Sequence, residues 1–264
     1  MIQPIDIAQL QRRVQAAKPF PCFVIDNFLN PDFAQDVYDS FPPYEVALSM
    51  GRSFKTVNER KKVQVTDAAQ FAPAVQELNR LLAEPSWTEM LSETFGLPHL
   101  LADEQLRGGG MHQTGSRGRL DVHVDFNYIA EQQWHRRLNV LVFLNPGWRP
   151  EWGGKLELWD KEVKHCHQSL EPIFNRCVVF ETSDISFHGV TAVTCPEDRS
   201  RRSFAAYYYT REAPAHWTGD AHDTIFRSRP NEVVRGKILM PVEQVGRVLR
   251  RRMEELRRTF KKMI

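Results

Sequence analysis

Short strand-like stretches fill residues 105–211 and constrain the fold of this chain more than any other feature. Each is apolar or alternates apolar with polar side chains, and each is bounded by Gly, Pro, Asn or Asp. In chain order they are LDVHVDF, RLNVLVFLN, GGKLELWD, NRCVVFET, HGVTAV and RRSFAAYYYT. Several short strands separated by turn residues favour a sandwich, barrel or jelly roll over a parallel α/β sheet, because no long helix intervenes.

The N-terminal part, residues 1–100, is predicted to be largely helical. A helix is expected over residues 30–41, with Asn30 as its N-cap and Pro31 at its first position. Apolar side chains at near-helical spacing predict two more helices within residues 67–95. The fold class is therefore mainly β with flanking helices (α+β).

Composition and charge exclude several classes of protein. The chain has 264 residues, 42% of them hydrophobic and 26% charged, with a formal net charge of +2, which is too mild to indicate a nucleic-acid partner. The four cysteines form no CxxC pair, so neither a zinc knuckle nor a disulfide framework is indicated. No apolar run has the length of a membrane span, and the N-terminus lacks the apolar segment of a signal peptide. A cytoplasmic location is expected.

The stretch 120–127, LDVHVDFN, carries the first candidate site. Its period-two alternation places His123 and Asp125 on one strand face, although a polar face that simply meets water also fits the pattern. His188, after the apolar stretch RCVVFE, is the candidate third ligand. Two histidines and one carboxylate on a single face of octahedral Fe(II) leave positions open for dioxygen chemistry, whereas a structural zinc site is closed.

A candidate carboxylate-binding motif follows in DRSRRSFAAYYYT. On a strand, Arg201 and Ser203 share one face and Arg202 lies on the other. The co-substrate that usually accompanies such an iron is 2-oxoglutarate, and an arginine fork binds a carboxylate with two hydrogen bonds. The motif can therefore hold the far carboxylate of 2-oxoglutarate, although a solvated basic turn also fits.

Together these residues resemble the Fe(II)/2-oxoglutarate-dependent dioxygenases, in the prolyl 4-hydroxylase-like branch. The resemblance covers about residues 105–211. Its motifs, in order, are His123-x-Asp125, His188 and Arg201-x-Ser203. It implies a double-stranded β-helix (jelly roll) with Fe(II) bound by the two histidines and the aspartate at its open end. It also implies a reaction that uses O2, converts 2-oxoglutarate to succinate and CO2, and hydroxylates an unactivated C–H of a small-molecule, sugar or peptidyl substrate.

Two departures from the family's pattern concern the co-substrate. Many relatives have a Tyr that bonds the far carboxylate where this chain has Phe143, so Arg201, Ser203 and Asn139 are expected to contribute more of that binding. Asn139 is alternatively a hydrogen-bonded amide that only lines the barrel. Arg201 also lies farther from the distal histidine than is typical (201 − 188 = 13 residues). The rivals for its role are Arg199 and Arg202.

Four further residues are candidates for substrate contact. Asn127 and Tyr128 come two and three residues after Asp125 and would lie at the barrel mouth. His112 and Gln113, in GGGMHQ, either face the site or belong to a flexible loop. The retained carboxylate of Asp125 favours hydroxylation, because the halogenases of the family replace it with a small residue.

Two other functions remain open on the sequence alone. The same three ligands could hold zinc and activate water for hydrolysis, or the jelly roll could be a non-catalytic binding protein. A hydrolase would not need the Arg-x-Ser motif, and the intact ligand set argues against a purely non-catalytic role. The dioxygenase is therefore the favoured interpretation.

A basic amphipathic helix is predicted over residues 237–264. Apolar side chains recur there at three- and four-residue steps, and arginines and lysines occupy much of the rest. The helix either docks on the barrel or on a second subunit, or it binds an anionic membrane surface, which would place the protein at the inner face of a membrane. The predicted organisation is a single dioxygenase domain over residues 1–236 followed by this helix.

Overall fold

The computed structural model describes residues 1–215 and 217–242. Its α-helices are α1 Ile7–Ala16, α2 Pro31–Asp39, α3 Tyr44–Met50, α4 Pro73–Ala83 and α5 Pro85–Phe95. Its strands are β1 Cys22–Ile25, β2 Arg52–Lys55, β3 Glu59–Val65, β4 Leu101–Ala102, β5 Gly110–Val124, β6 Tyr128–Ile129, β7 Trp134–Phe143, β8 Leu156–Trp159, β9 Cys166–Leu170, β10 Arg176–Glu181, β11 His188–Val190, β12 Ser200–Thr210 and β13 Ile225–Arg227. The predicted mainly β fold with flanking N-terminal helices is confirmed, and each of the six predicted stretches contains a strand.

The strands form one antiparallel sheet whose main path is β1-β10-β7-β12-β5-β11-β8-β9. Strand β5 is 15 residues long and curls this sheet. Its first half pairs with β12, from Gly110 to Gly115, and its second half pairs with β11, where His123 lies opposite His188. One long strand thus joins two layers of the barrel.

The helices cover one outer face of this barrel. Asn30 caps α2 as predicted, accepting a hydrogen bond from the amide of Asp32. Pro85 begins α5 and separates it from α4. The apolar side of α4 packs with outward-facing residues of β7 and β12 in one core, whose members include Leu78, Leu82, Leu138, Val140, Val142 and Phe204.

Alternation along the strands leaves the opposite side chains inside the barrel. Paired residues of β7 and β12 have side chains on the same face of the sheet. The pairs that face inward are Ser203 with Phe143, Ala205 with Leu141, and Tyr207 with Asn139. The barrel interior therefore contains Asn139 of β7 and Ser203 of the Arg201-x-Ser203 motif in β12.

A C-terminal segment, residues 217–242, returns across the barrel mouth after β12. It contains β13, which pairs with the end of β5, and a π-helical turn at Arg235–Leu239. Most of the predicted basic helix lies outside the described residues, so its docking, dimerisation or membrane contact stays a prediction. None of the helices in the described ranges has the length and apolarity that a membrane crossing needs.

Candidate active site

The three predicted metal ligands meet at one end of the barrel. The ligand atoms of His123, Asp125 and His188 all lie within 4.8 Å of one another. Each histidine Nε2 is 3.5 Å from an oxygen of the Asp125 carboxylate. The register of β11 on β5 places the two imidazoles side by side, with ring centroids 4.3 Å apart. This is a donor set that one metal ion can join.

Backbone carbonyls orient both imidazoles. His123 Nδ1 is 2.9 Å from the carbonyl oxygen of Asp121, and His188 Nδ1 is 2.9 Å from that of Ser186. A carbonyl only accepts, so each Nδ1 carries the proton and each Nε2 presents a lone pair. Burial, and then the neighbouring His123, lower the pKa of His188 to about 3, so this imidazole is neutral at physiological pH.

The carboxylate of Asp125 is held by two partners. Asn139 Nδ2 donates to Asp125 Oδ2 over 2.8 Å, and the Arg136 guanidinium lies 3.0 Å from the same oxygen. Burial alone would raise the pKa of Asp125, but Arg136 and the two histidines outweigh it and hold the pKa well below its usual value. The carboxylate is therefore ionised. Asn139, predicted to bind the co-substrate, is seen here to contact the aspartate.

Arg136 is the site residue that sequence reasoning missed. Strict alternation would place Arg136 and Asn139 on opposite faces of β7. A β-bulge removes that alternation, because Tyr208 pairs with Leu138 and Tyr209 with Arg136, which leaves Arg137 as the extra residue. Arg136 then turns inward and donates two hydrogen bonds to Asn139 Oδ1, over 3.0 and 2.7 Å.

Two aromatic rings enclose the Arg136 side chain. Its guanidinium carbon lies 3.6 Å from the ring centre of Tyr207 and 4.6 Å from that of Phe126. Burial is the main cause that raises the pKa of Tyr207 to about 12, so the phenol stays neutral. Arg136, Asn139 and Asp125 form one compact polar network whose charges balance within the protein.

Deeper in the barrel, Arg201 is a buried cation with no counter-ion among the described residues. Its side chain points inward, with Nε donating to the carbonyl oxygen of Gly154 over 2.7 Å and the guanidinium carbon 4.8 Å from the ring centre of Phe143. Among the described residues no carboxylate lies within ion-pair distance of it. Burial lowers the pKa of Arg201 to about 10, so it remains charged at neutral pH. Such a group fits an anionic ligand such as a carboxylate.

The two rival arginines point elsewhere. Arg202, on the opposite strand face, stacks on the ring of Tyr38 from α2, with 4.9 Å between the guanidinium carbon and the ring centre. Arg199 is exposed and lies 5.2 Å from the ring centre of Trp152. Their placement leaves Arg201 as the arginine of this group that reaches the barrel interior.

His112 and Gln113 lie on opposite faces of β5. His112 pairs with Ser203 and shares its inward face. Burial, and then Lys62, lower the pKa of His112 to about 3, so a neutral imidazole lies beside the Arg201-x-Ser203 motif. Gln113 points the other way, where Nε2 donates to the carbonyl of Pro42 and Oε1 accepts from Ser200. The structure does not bring Gln113 to the site, because neighbouring strand residues face opposite sides.

The barrel mouth opens into a cavity of about 970 Å³ beside the metal ligands. Tyr128 lines this cavity, and its ring contacts His135 and Trp217 at centroid distances of 4.8 and 5.5 Å. Asn127 instead fastens the C-terminal segment: its Nδ2 donates to the carbonyl of Asp220 and its Oδ1 accepts from the amide of His222. Of Asn127 and Tyr128, it is thus Tyr128 that faces the open space.

Comparison with known proteins agrees with this geometry. The profile of the 2OG-Fe(II) oxygenase superfamily matches residues 109–209. Prolyl 3-hydroxylase OGFOD1 of Mus musculus is 37% identical over 78 residues, a stretch that is 28% of this chain and only 14% of the mouse protein.

Two solved structures show the same fold. A prolyl hydroxylase from Trichoplax adhaerens, solved with a peptide fragment of hypoxia inducible factor, is 17% identical with a TM-score of 0.56, over 77% of this chain and 88% of its own. A Pseudomonas putida prolyl-4-hydroxylase is 14% identical with a TM-score of 0.52, over 76% and 98% of the two chains. The predicted double-stranded β-helix is confirmed.

Proposed function

We propose that this chain, which belongs to the 2OG-Fe(II) oxygenase superfamily in its prolyl 4-hydroxylase-like branch, hydroxylates a prolyl residue of a polypeptide. One observation carries the proposal. A histidine and carboxylate cluster that fits Fe(II) lies in the same barrel as a buried cation that has no counter-ion in the described part of the chain. Bound iron would activate dioxygen there at the expense of 2-oxoglutarate, with succinate and CO2 as co-products.

At the metal end, His123, Asp125 and His188 would bind the iron. The two imidazoles present Nε2, because Nδ1 of each donates to a carbonyl. Asn139 and Arg136 both contact Asp125 Oδ2, and Oδ1 lies 3.5 Å from His123 Nε2. These contacts fix the carboxylate before any metal binds, which lowers the cost of assembling the site.

At the other end, Arg201 and Ser203 would hold the far carboxylate of 2-oxoglutarate. Arg201 Nε donates to the carbonyl of Gly154, so the two terminal nitrogens remain available for a bidentate hydrogen bond. Phe143 supplies an apolar wall at the position where many relatives supply a hydroxyl. His112, neutral and on the same face as Ser203, completes the inner surface.

A peptidyl substrate is supported by the relatives and by the shape of the mouth. The matched proteins are named as prolyl hydroxylases, and one was solved with a peptide. The cavity beside His123 is bounded by the β2–β3 hairpin, where Arg52 and Lys62 lie 4.7 and 5.0 Å from the ring centre of Phe54. An open cleft lined by aromatic groups and by charged groups of both signs suits a polypeptide substrate.

The two alternatives receive less support. A zinc hydrolase would use the three ligands but has no need of the buried Arg201 cation, whose burial costs free energy unless an anion joins it. A non-catalytic jelly roll needs neither the three metal ligands nor the buried Arg201 cation. The family match also favours the oxygenase.

Succinate release in the presence of peptides tests the proposal. The purified protein is supplied with Fe(II), 2-oxoglutarate and O2, together with proline-containing peptides that differ in flanking charge, and His123→Ala is the control. We expect proline peptides, but not matched peptides with alanine in place of proline, to stimulate succinate release and to gain one oxygen atom by mass spectrometry. Stimulation by free metabolites alone would overturn the peptidyl substrate, and no succinate under any condition would overturn the hydroxylase.

A further inference from the structure

We infer that residues 223–235, which lie beyond the family match at 109–209, are a positioning element of the metal site and hold His123 in place. The inference rests on the proposed function, since it concerns the same iron ligands. Two independent contacts carry it: one to the imidazole ring of His123, and one to the residue whose carbonyl orients that ring.

The first contact is a ring packed on the ligand. Strand β13 pairs antiparallel with the end of β5, and this register places Phe226 directly opposite His123. Their ring centroids are 5.4 Å apart, while on the other side the His188 ring is 4.3 Å away. The imidazole of His123 is thus held between a ring from the C-terminal segment and the other histidine ligand.

The second contact runs through Asp121. Its backbone carbonyl accepts the hydrogen bond from His123 Nδ1, and its carboxylate is completely buried. Three arginines surround that carboxylate: Arg119 lies 2.6 Å from Oδ1, Arg235 of the C-terminal segment lies 2.8 Å from Oδ2, and Arg229 of the same segment lies 3.9 Å from Oδ1. Arg235 also donates to the carbonyl of Val57, so it joins three parts of the chain.

A partly buried ionic cluster completes this anchor. Glu232 of the same segment is 2.6 Å from Arg119, and Arg229 is 2.7 Å from Glu157 of β8. The cluster contains three carboxylates and three guanidinium groups. Its members are Asp121, Glu157, Glu232, Arg119, Arg229 and Arg235. Because a buried charge is strongly destabilised when its partner is removed, the cluster has one favourable arrangement and keeps Asp121 in a fixed position.

The consequence for the metal is indirect but measurable. A hydrogen bond to the second nitrogen of a ligating histidine fixes its tautomer and orientation, and loss of such a partner costs about 10- to 100-fold in metal affinity. Arg235 acts on His123 through Asp121, so it is a positioning residue. A purely structural role would change the stability of the segment without altering the geometry of the bound metal.

Cobalt(II) binding to the full chain separates the two roles, because tightly bound Co(II) reports its ligand geometry by visible absorption. Wild type is compared with Arg235→Ala, Arg235→Lys and His123→Ala, and Lys237→Ala is the matched control, since Lys237 is an exposed cation in the same turn. We expect Arg235→Ala to weaken Co(II) binding by up to about 10-fold, the lower end of the loss for a direct hydrogen-bond partner of the ligand, and to alter the spectrum. Arg235→Lys should recover part of the loss, and Lys237→Ala should match wild type.

The outcomes distinguish this inference from the proposed function. Wild-type affinity and spectrum in Arg235→Ala would overturn the positioning role and leave the iron site standing. Equal Co(II) binding by wild type and His123→Ala would overturn the iron site itself. If Arg235→Ala fails to fold, Phe226→Leu decides: a changed spectrum supports the inference, and an unchanged one overturns it.

Discussion

The two ends of the barrel interior solve the problem of buried charge in opposite ways. At the metal end, the Asp125 carboxylate is matched inside the protein by Arg136 and Asn139. At the other end, Arg201 is buried without a carboxylate in the described part of the chain. The first arrangement is complete before a ligand arrives. The second becomes complete only when an anion enters, and we propose that the co-substrate's carboxylate is this anion.

Removal of Asp125 should have the largest effect, because it removes a metal ligand and also leaves Arg136 without its carboxylate partner. Asp125→Ala and His123→Ala should both abolish metal binding and turnover. Asp125→Ala should in addition lower the free energy of unfolding of the metal-free protein by about 3 to 5 kcal/mol, since Arg136 is left buried without its partner. Urea denaturation of both variants measures the difference. Equal stability would show that Arg136 does not depend on Asp125.

Replacement of Arg201 should weaken ligand binding without lowering the stability of the ligand-free protein. Arg201→Met should weaken 2-oxoglutarate binding by about 2 to 5 kcal/mol, because a buried charged hydrogen bond is lost. The free energy of unfolding of the ligand-free protein should not fall, since an unpaired buried cation is replaced by an apolar side chain. Calorimetry with 2-oxoglutarate and urea denaturation give the two values, with Arg202→Met as the matched control. The opposite ranking of the two variants would transfer the role to Arg202.

Acid should destabilise both ends through one histidine each. The folded-state pKa values of His188 and His112 are lowered to about 3, whereas an unfolded histidine titrates near 6.5. The unfolded chain therefore binds protons first: stability is complete above about pH 6.5 and falls as the pH drops toward 3. Each histidine should contribute about 1.4 kcal/mol per pH unit in that range. Urea midpoints of metal-free His188→Gln and His112→Gln should each show a shallower slope than wild type, and an unchanged slope would contradict the burial of that imidazole.

The smallest effect is expected from Phe143→Tyr, which restores the hydroxyl that many relatives have near the far carboxylate. One added hydrogen bond to a charged carboxylate should tighten 2-oxoglutarate binding by about 1.5 to 3 kcal/mol. The ring lies beside Arg201 and is fully buried, so extra volume works against this gain. Calorimetric titration decides the sign. Weaker binding would mean that steric strain outweighs the new hydrogen bond.

Local alternation predicted much of this site, and its failures have identifiable causes. His123 with Asp125, and Arg201 with Ser203, each follow a regular strand, so a period of two places both members on one face. Arg136 escaped because one extra residue in β7 reversed the alternation, and no turn residue or glycine marks that bulge in the sequence. A strand-period argument cannot anticipate such an insertion.

The contacts of the C-terminal segment with the site could not be predicted for a different reason. Phe226 and Arg235 reach the site only through pairing and ion contacts with residues about 100 positions earlier. Their local sequence shows neither a motif nor a periodicity that points to a metal site. Gln113 illustrates the converse error, since proximity along the chain to His112 does not place it on the same face.

The central claim is that one barrel holds Fe(II) at His123, Asp125 and His188 and holds the far carboxylate of 2-oxoglutarate at Arg201. Anaerobic spectroscopy tests this claim most directly. Fe(II) protein is titrated with 2-oxoglutarate in the absence of oxygen, and the weak visible charge-transfer absorption of the chelated iron is followed. We predict a saturable band in wild type that disappears in His123→Ala and requires far more 2-oxoglutarate in Arg201→Met than in Arg202→Met. Wild-type protein that binds Fe(II) but develops no band at any 2-oxoglutarate concentration would contradict the claim.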